Sequence, residues 1–185
     1  MKDIWRKRRM AKDTLPPFDE RGCLPEGIYN PTVEEFVERF VNVTNRRKEL
    51  FGKYQQFTKL CNEAKGIEEH YLDGSYVRDK EKPGDIDLLI IFNDDVYDSD
   101  KSYNQYFEIT SNQQKMKKEY EMHVFYAKNT TDIDPIEMQH HWEKKKKTVL
   151  EWWSTFYMDR KNKIKDDKKK GFIVFNKDDL HEIGA

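Results

Sequence analysis

The segment Asp85-Ile86-Asp87-Leu88-Leu89-Ile90-Ile91-Phe92 most limits what this chain can become. A nearly continuous apolar run directly behind two acids reads as a strand of the kind buried within a sheet. Acids at i and i+2 on a strand point to the same face, so the two carboxylates converge. Convergence costs energy through like-charge repulsion, and a divalent cation cancels that cost. A second short strand is expected over 67–73 (Ile-Glu-Glu-His-Tyr-Leu-Asp), ended by Gly74-Ser75 and followed by a charged connection containing Pro83-Gly84.

Helical spacing precedes these strands. Thr32 is placed to cap a helix, with Glu35 completing a capping box, and Val33, Phe36, Val37, Phe40 and Val41 form one apolar stripe. Asn45 is the expected cap of a second helix, whose stripe runs Leu50, Phe51, Tyr54, Phe57, Leu60, Cys61 and Ala64 and stops at Gly66. Downstream, a polar loop is expected over 93–102, a helix around 103–118 ending in Lys115, Lys117 and Lys118, and a strand over 121–127. A helix from about 136 to 158, a Lys/Asp-rich loop over 160–170 and a last strand over 171–175 complete the chain. The fold class is α/β (α+β), a small mixed sheet with helices. It reads as one domain over 1–185: an N-terminal arm (1–30), a helical pair (31–66), a core sheet (67–135), and a C-terminal helix with closing strand (136–185).

Composition excludes several classes. Charged residues are 37% of 185, yet 11 Phe, 10 Tyr and 4 Trp supply the apolar area a disordered chain lacks. No apolar run approaches the ~18 residues of a membrane span, and no apolar stretch follows the charged N-terminus as a secretory signal requires. Cys23 and Cys61 make neither a disulfide framework nor a metal spacing, so the expected setting is cytoplasmic. The net charge of −1 hides a segregation. Residues 1–12 hold six basic side chains against one acid, residues 142–170 hold eleven against five, and the body between them is acidic. Basic flanks can complement that body or face a phosphate-rich partner such as RNA.

Chemistry concentrates at Gly74-Ser75 and Asp85-Ile86-Asp87. Magnesium favours carboxylate oxygens and keeps positions open for water and substrate phosphates. Gly-Ser at a strand end offers backbone N–H groups and a hydroxyl, with no bulky side chain in the way of a phosphate oxygen. Together they suit phosphoryl or nucleotidyl transfer from a nucleoside triphosphate. In the spacer, Arg78 can contact a triphosphate bidentately, and Lys80 and Lys82 can neutralise it; each is equally readable as a solvated surface charge.

Gly74-Ser75, nine intervening residues and Asp85-Ile86-Asp87 entering an apolar strand resemble the nucleotidyltransferase superfamily typified by DNA polymerase beta. A closer resemblance extends over most of the chain. Leu24-Pro-Glu-Gly27, Thr32-Val-Glu-Glu-Phe36, Asn45-Arg-Arg47 with Glu49-Leu50, Asp73-Gly-Ser75, Lys82-Pro-Gly-Asp-Ile-Asp87, Asp159-Arg160 and Lys170-Gly-Phe-Ile-Val174 are similar to an uncharacterised family of small bacterial and phage nucleotidyltransferase-like proteins. The resemblance implies metal at Asp85 and Asp87 and triphosphate at Gly74 and Ser75; Arg78 and Lys82 join them as the spacer's candidate nucleotide contacts. The superfamily usually adds a third carboxylate from a later strand. The corresponding position here is His123, with Glu121 two residues earlier on the same face of a regular strand. Imidazole is a poorer magnesium ligand than carboxylate and tolerates manganese better.

Bland readings apply elsewhere. His140 and His141 are adjacent, hence on different helix faces, and do not form an i, i+4 metal pair. Lys144 to Lys147 with Trp152, Trp153, Phe156 and Tyr157 have the make-up either of a nucleic-acid patch or of a solvated lysine face over core aromatics. The expected function is Mg2+-dependent (or Mn2+-dependent) transfer of a nucleoside monophosphate from a nucleoside triphosphate to a hydroxyl on a protein or RNA acceptor, with Asp85, Asp87 and His123 at its centre. The alternative is a degenerate nucleotidyltransferase fold acting as a protein-binding module, as an antitoxin or phage anti-defence inhibitor would.

Overall fold

Helix α1 (Val33–Phe36) continues into a π-helical turn, Val37–Val41. Thr32 caps it by accepting from Glu35 N at 3.1 Å. The capping box expected from Glu35 is replaced by a longer reach: Glu35 Oε1 accepts from Leu15 N at 2.9 Å and ties the N-terminal arm to the helix. Helix α2 (Asn45–Glu63) is capped one residue earlier than expected, by Thr44, whose hydroxyl accepts from Arg47 N; Asn45 is its first helical residue. Two adjacent capping-type residues compete there, and the extended backbone at Thr44 decides. Past the helix end, Gly66 takes the left-handed φ of 97°. The computed structural model describes residues 14–64, 66–93, 112–129, 151, 153, 155–159 and 164–185.

Among the described residues, five strands form one mixed sheet in the order β1-β7-β2-β3-β4. They are β1 (Ile28–Tyr29), β2 (Ile67–Asp73), β3 (Ile86–Asn93), β4 (Met122–Asn129) and β7 (Phe172–Asn176). β2 pairs antiparallel with β3 and with β7, while β3–β4 and β1–β7 are parallel. β3 reads as a central strand because both of its faces are covered. Leu88, Ile90 and Phe92 join Phe36, Phe40, Leu50, Tyr54 and Phe57 in the main core. Leu89 and Ile91 pack instead with Tyr71, Phe172 and Trp153 on the other face. On the helix side of β2, His70 is fully buried beside Tyr54, whose hydroxyl lies 3.1 Å from Nδ1. Burial drops that imidazole to about 3, so it stays neutral and structural.

Several boundaries differ from the sequence expectations. α3 (Gln113–Lys115), with its π-helical turn Met116–Tyr120, occupies the C-terminal part of the helix expected around 103–118; residues 103–111 lie outside the described residues. The helix expected to 158 gives way earlier: Glu151 and Trp153 are helical, but Thr155–Asp159 is β5. It pairs antiparallel with β6 (Ile164–Lys169), where a loop was expected. Thr-Phe-Tyr-Met favours a pleated strand, and pairing recruits a charged segment that has little strand preference of its own. A final helix, α4 (Lys177–Gly184), was not anticipated. Asn176 caps it with a full capping box, Asp179 Oδ2 accepting from Asn176 N at 3.1 Å. His140, His141, Lys144–Lys147 and Trp152 lie outside the described residues. Cys23 and Cys61 are free and buried. No helix among the described residues is long and apolar enough to cross a membrane.

Arg47 fastens the helical layer to the connection between β2 and β3. Only 2% exposed, its guanidinium donates to the carbonyls of Phe40, Tyr76, Arg78 and Lys80. Tyr76 OH returns a bond to Arg47 O at 3.0 Å. Each buried carbonyl left without a donor costs about 1–3 kcal/mol. Arg47→Leu is therefore expected to destabilise the fold by roughly 3 kcal/mol or more, read as a lowered urea midpoint. Arg47→Lys should recover only part of the loss, because an ammonium cannot reproduce the planar fork. An unchanged midpoint in Arg47→Leu would contradict this role.

Candidate functional site

Register places the polar side chains abreast. At one end of the sheet Asp73 on β2 stands opposite Asp87 on β3, and Asp87 stands opposite His123 on β4. Ile86 is fully buried in the helix-packed core, so Asp87 turns to the opposite face of the sheet; Asp85, directly before the strand, lies near enough for its charge to act on Asp87, and both are half-buried.

Gly74 explains why the β2 end can lie so close. Its φ is +78°, a left-handed conformation that favours glycine, and a Cβ built there would overlap the Asp87 carboxylate. The Gly74 backbone therefore forms a wall directly against Asp87. Gly74–Val77 makes a 3₁₀ turn, with Tyr76 and Val77 buried beneath it and Ser75 half-buried.

The carboxylates at this end of the sheet act on one another. Burial pushes the Asp87 carboxyl above the usual range, and the charges of Asp85 and Asp73 add to the rise, while His123 and Lys170 oppose it. His123 Nδ1 lies 3.5 Å from Asp87 Oδ1, and the ring sits 4.5 Å from that of Phe125. Half of the His123 side chain remains exposed. Among the described residues, no group of three or more His, Cys, Asp or Glu side chains is arranged to hold a metal ion.

Glu121 is not on the strand face expected for it. β4 begins at Met122, and Glu121 adopts a left-handed φ of 53° at the end of the preceding π-helical turn, which breaks the alternation. Its carboxylate is taken by α2: Arg46 Nη2 donates at 2.9 Å and Lys53 Nζ at 2.6 Å. Arg46 also donates to Pro83 O and Gly84 O, the two carbonyls just before Asp85. Glu121 and Arg46 thus brace the approach to the site instead of entering it.

Of the two spacer side chains assigned to phosphate, Arg78 donates to Arg21 O at 3.1 Å and lies near enough to Asp73 to favour its charged form; Lys82 is exposed. Two residues that the sequence shows only as parts of motifs, Asp73 and Lys170, join the site. Asp73 is buried, and Lys170, 8% exposed, places Nζ on its Oδ1. Burial pushes the Asp73 carboxyl up, and Lys170 pulls it back. The available signals were an acid directly before Gly74-Ser75 and a lysine directly before Gly171, 97 positions apart.

The Glu121 cluster carries a pH signature. Hydrogen bonds from Arg46, then Lys53, hold its carboxyl at about 2 against an ordinary 4.5. A depressed folded value contributes stability above the unfolded value and loses it as pH falls through the folded one. Glu121→Gln should therefore be less stable than the parent at neutral pH, with the gap closing from pH 4.5 down toward about 2. Urea midpoints across that range check it; a gap independent of pH would contradict the assignment.

No curated protein and no solved structure matches this chain. The model of the Family of unknown function (DUF6932) matches residues 16–176, and the chain belongs to that family.

Proposed function

We propose that this chain is a metal-dependent nucleotidyltransferase, moving a nucleoside monophosphate from a nucleoside triphosphate to a hydroxyl acceptor on protein or RNA. The observation that carries the reading is the Gly74 backbone packed against the Asp87 carboxylate, with Asp85 close enough for its charge to act on Asp87. The likeness of Gly74-Ser75 and Asp85-Ile86-Asp87 to the nucleotidyltransferase superfamily supports it further. The donor set fits an ion that takes one or two carboxylates from protein and the rest of its shell from phosphate and water, as magnesium does. Asp85 and Asp87 would hold it, and when bound it would neutralise triphosphate charge and polarise the phosphorus under attack.

The chain's own groups have separate duties in this reading. The Ser75 backbone N–H faces the phosphates, the Gly74 N–H being held by the Asp73 carboxylate, and Arg78 and Lys82 are the spacer cations offered to the outer oxygens. His123 stands where the resemblance implies a third carboxylate, so the site carries one negative charge fewer and favours Mn2+ over Mg2+. A cytoplasmic setting, where triphosphates are available, accompanies this function.

A second reading has its own support. His123 lies in register beside Asp87, and Glu121, the other acid near that place, is committed to Arg46 and Lys53. A nucleotidyltransferase fold lacking its third carboxylate serves as a protein-binding module, of the antitoxin or phage anti-defence kind.

The test uses nucleoside triphosphates labelled at the α-phosphate, with lysate as acceptor. Asp87→Asn should abolish both transfer and the melting shift given by metal with triphosphate. His123→Asp should raise Mg2+-dependent transfer on the order of tenfold or more, matching removal of a barrier of about 1.4 kcal/mol. No transfer in either metal by wild type or His123→Asp would overturn the enzyme and favour the module.

A further inference from the structure

The proposed metal–nucleotide site lies beside a buried ion pair that the proposed reaction does not use. Lys170 Nζ sits on Asp73 Oδ1, with both side chains more than nine-tenths buried. Asp73 is the register neighbour of Asp87, and the Lys170 charge reaches Asp87 as well. The backbone fixes this lysine from both sides. Arg21 Nη2 donates to Lys169 O at 3.0 Å, and Gly171 N donates to Leu24 O at 2.9 Å. The arm turn that does this also holds the other wall, because Asp79 N donates to Gly22 O at 2.8 Å.

We propose that Lys170 is a specificity-determining residue: by neutralising Asp73 beside Asp85 and Asp87, it keeps the site too weakly negative to take a free divalent cation tightly, and so selects the cation already complexed to a nucleoside triphosphate. This rests on the metal–nucleotide reading of Asp85 and Asp87. Five charged groups act on one another there: three carboxylates (Asp73, Asp85, Asp87), the Lys170 ammonium and, acting on Asp73, the Arg78 guanidinium, with His123 alongside. Without the lysine, the third carboxylate would add its charge to the pair that meets the cation. An unscreened unit charge at this range changes cation affinity by about tenfold or more.

The effects of the two partners must then have opposite signs, which a loss of packing cannot imitate. Binding of Mn2+ alone is measured calorimetrically at about pH 8, well above the ordinary carboxyl range. Lys170→Met should bind Mn2+ about tenfold tighter than wild type, and Asp73→Asn about tenfold weaker. Asp73→Asn/Lys170→Met, which removes both charges, should return to within about twofold of wild type. The affinity of the Mn2+–triphosphate complex should change less than that of the free ion in each single variant.

Two results overturn the proposal while leaving the site reading intact. One is single variants that leave Mn2+ affinity unchanged or move it in the same direction, while Asp87→Asn still abolishes binding. The other applies where a single variant does not fold: a doubly substituted protein whose Mn2+ affinity differs from wild type by about tenfold or more. Wild-type protein that shows no Mn2+ or Mn2+–triphosphate binding sensitive to Asp87→Asn overturns the site reading itself, and this inference with it.

Discussion

The antiparallel register between β2 and β3 runs from Ile67 opposite Phe92 to Asp73 opposite Asp87, and the juxtaposition of these two acids follows from it. Side chains alternate with a period of two, so a slip of one residue would carry Asp73 into the helix-packed core and bring Leu72 out beside Asp87. The apolar content of both strands forbids that slip. Leu72, Leu88 and Ile90 are sealed under the helices, and Tyr71, Leu89 and Ile91 under Trp153 and Phe172. The irregularity in the pairing falls between Ile67 and Glu69, at the end of β2 remote from Asp73, so the acidic end keeps an uninterrupted ladder.

Three layers of support converge on that end. Arg47 holds the residues after the Gly74–Val77 turn by their carbonyls, and Arg46 holds the two residues before Asp85 in the same manner. The arm turn around Arg21 and Leu24 pins the flanks of Lys170. Guanidinium-to-carbonyl bonds recur because a loop of polar backbone is packed here against a helical layer. One planar group with five donors can satisfy several buried carbonyls at once. Asp73 is paired with Lys170, while burial first, and then the charges of Asp85 and Asp73, raise Asp87.

Much of the architecture is legible in local pattern. The apolar run after Asp85, the stripes at Phe36–Val41 and Leu50–Cys61, and the turn at Gly74 each announce themselves within a few residues, because period and turn chemistry are local properties. The pairing of His123 with Asp87 was accessible from the expected strand over 121–127 and a resemblance. What stayed hidden depends on distant partners or on one dihedral angle. Nothing within ten residues of Asp73 reveals Lys170. The left-handed turn at Glu121 converts an expected strand acid into the clasp of Arg46 and Lys53. The β5–β6 pair was obscured because β6 is Lys/Asp-rich and becomes a strand only through its neighbour. The β7 position between β1 and β2 is likewise a matter of topology.

The central claim is that Asp85 and Asp87 receive a divalent ion together with a triphosphate whose phosphates lie against Gly74-Ser75. A crystal structure grown with Mn2+ and a non-hydrolysable nucleoside triphosphate, with anomalous data collected at the manganese edge, tests it most directly. The expected result is an anomalous peak between the two carboxylates and phosphate density against the Gly74 and Ser75 backbone, both absent from crystals of Asp87→Asn. Nucleotide bound elsewhere, or a manganese peak that persists in Asp87→Asn, would contradict it.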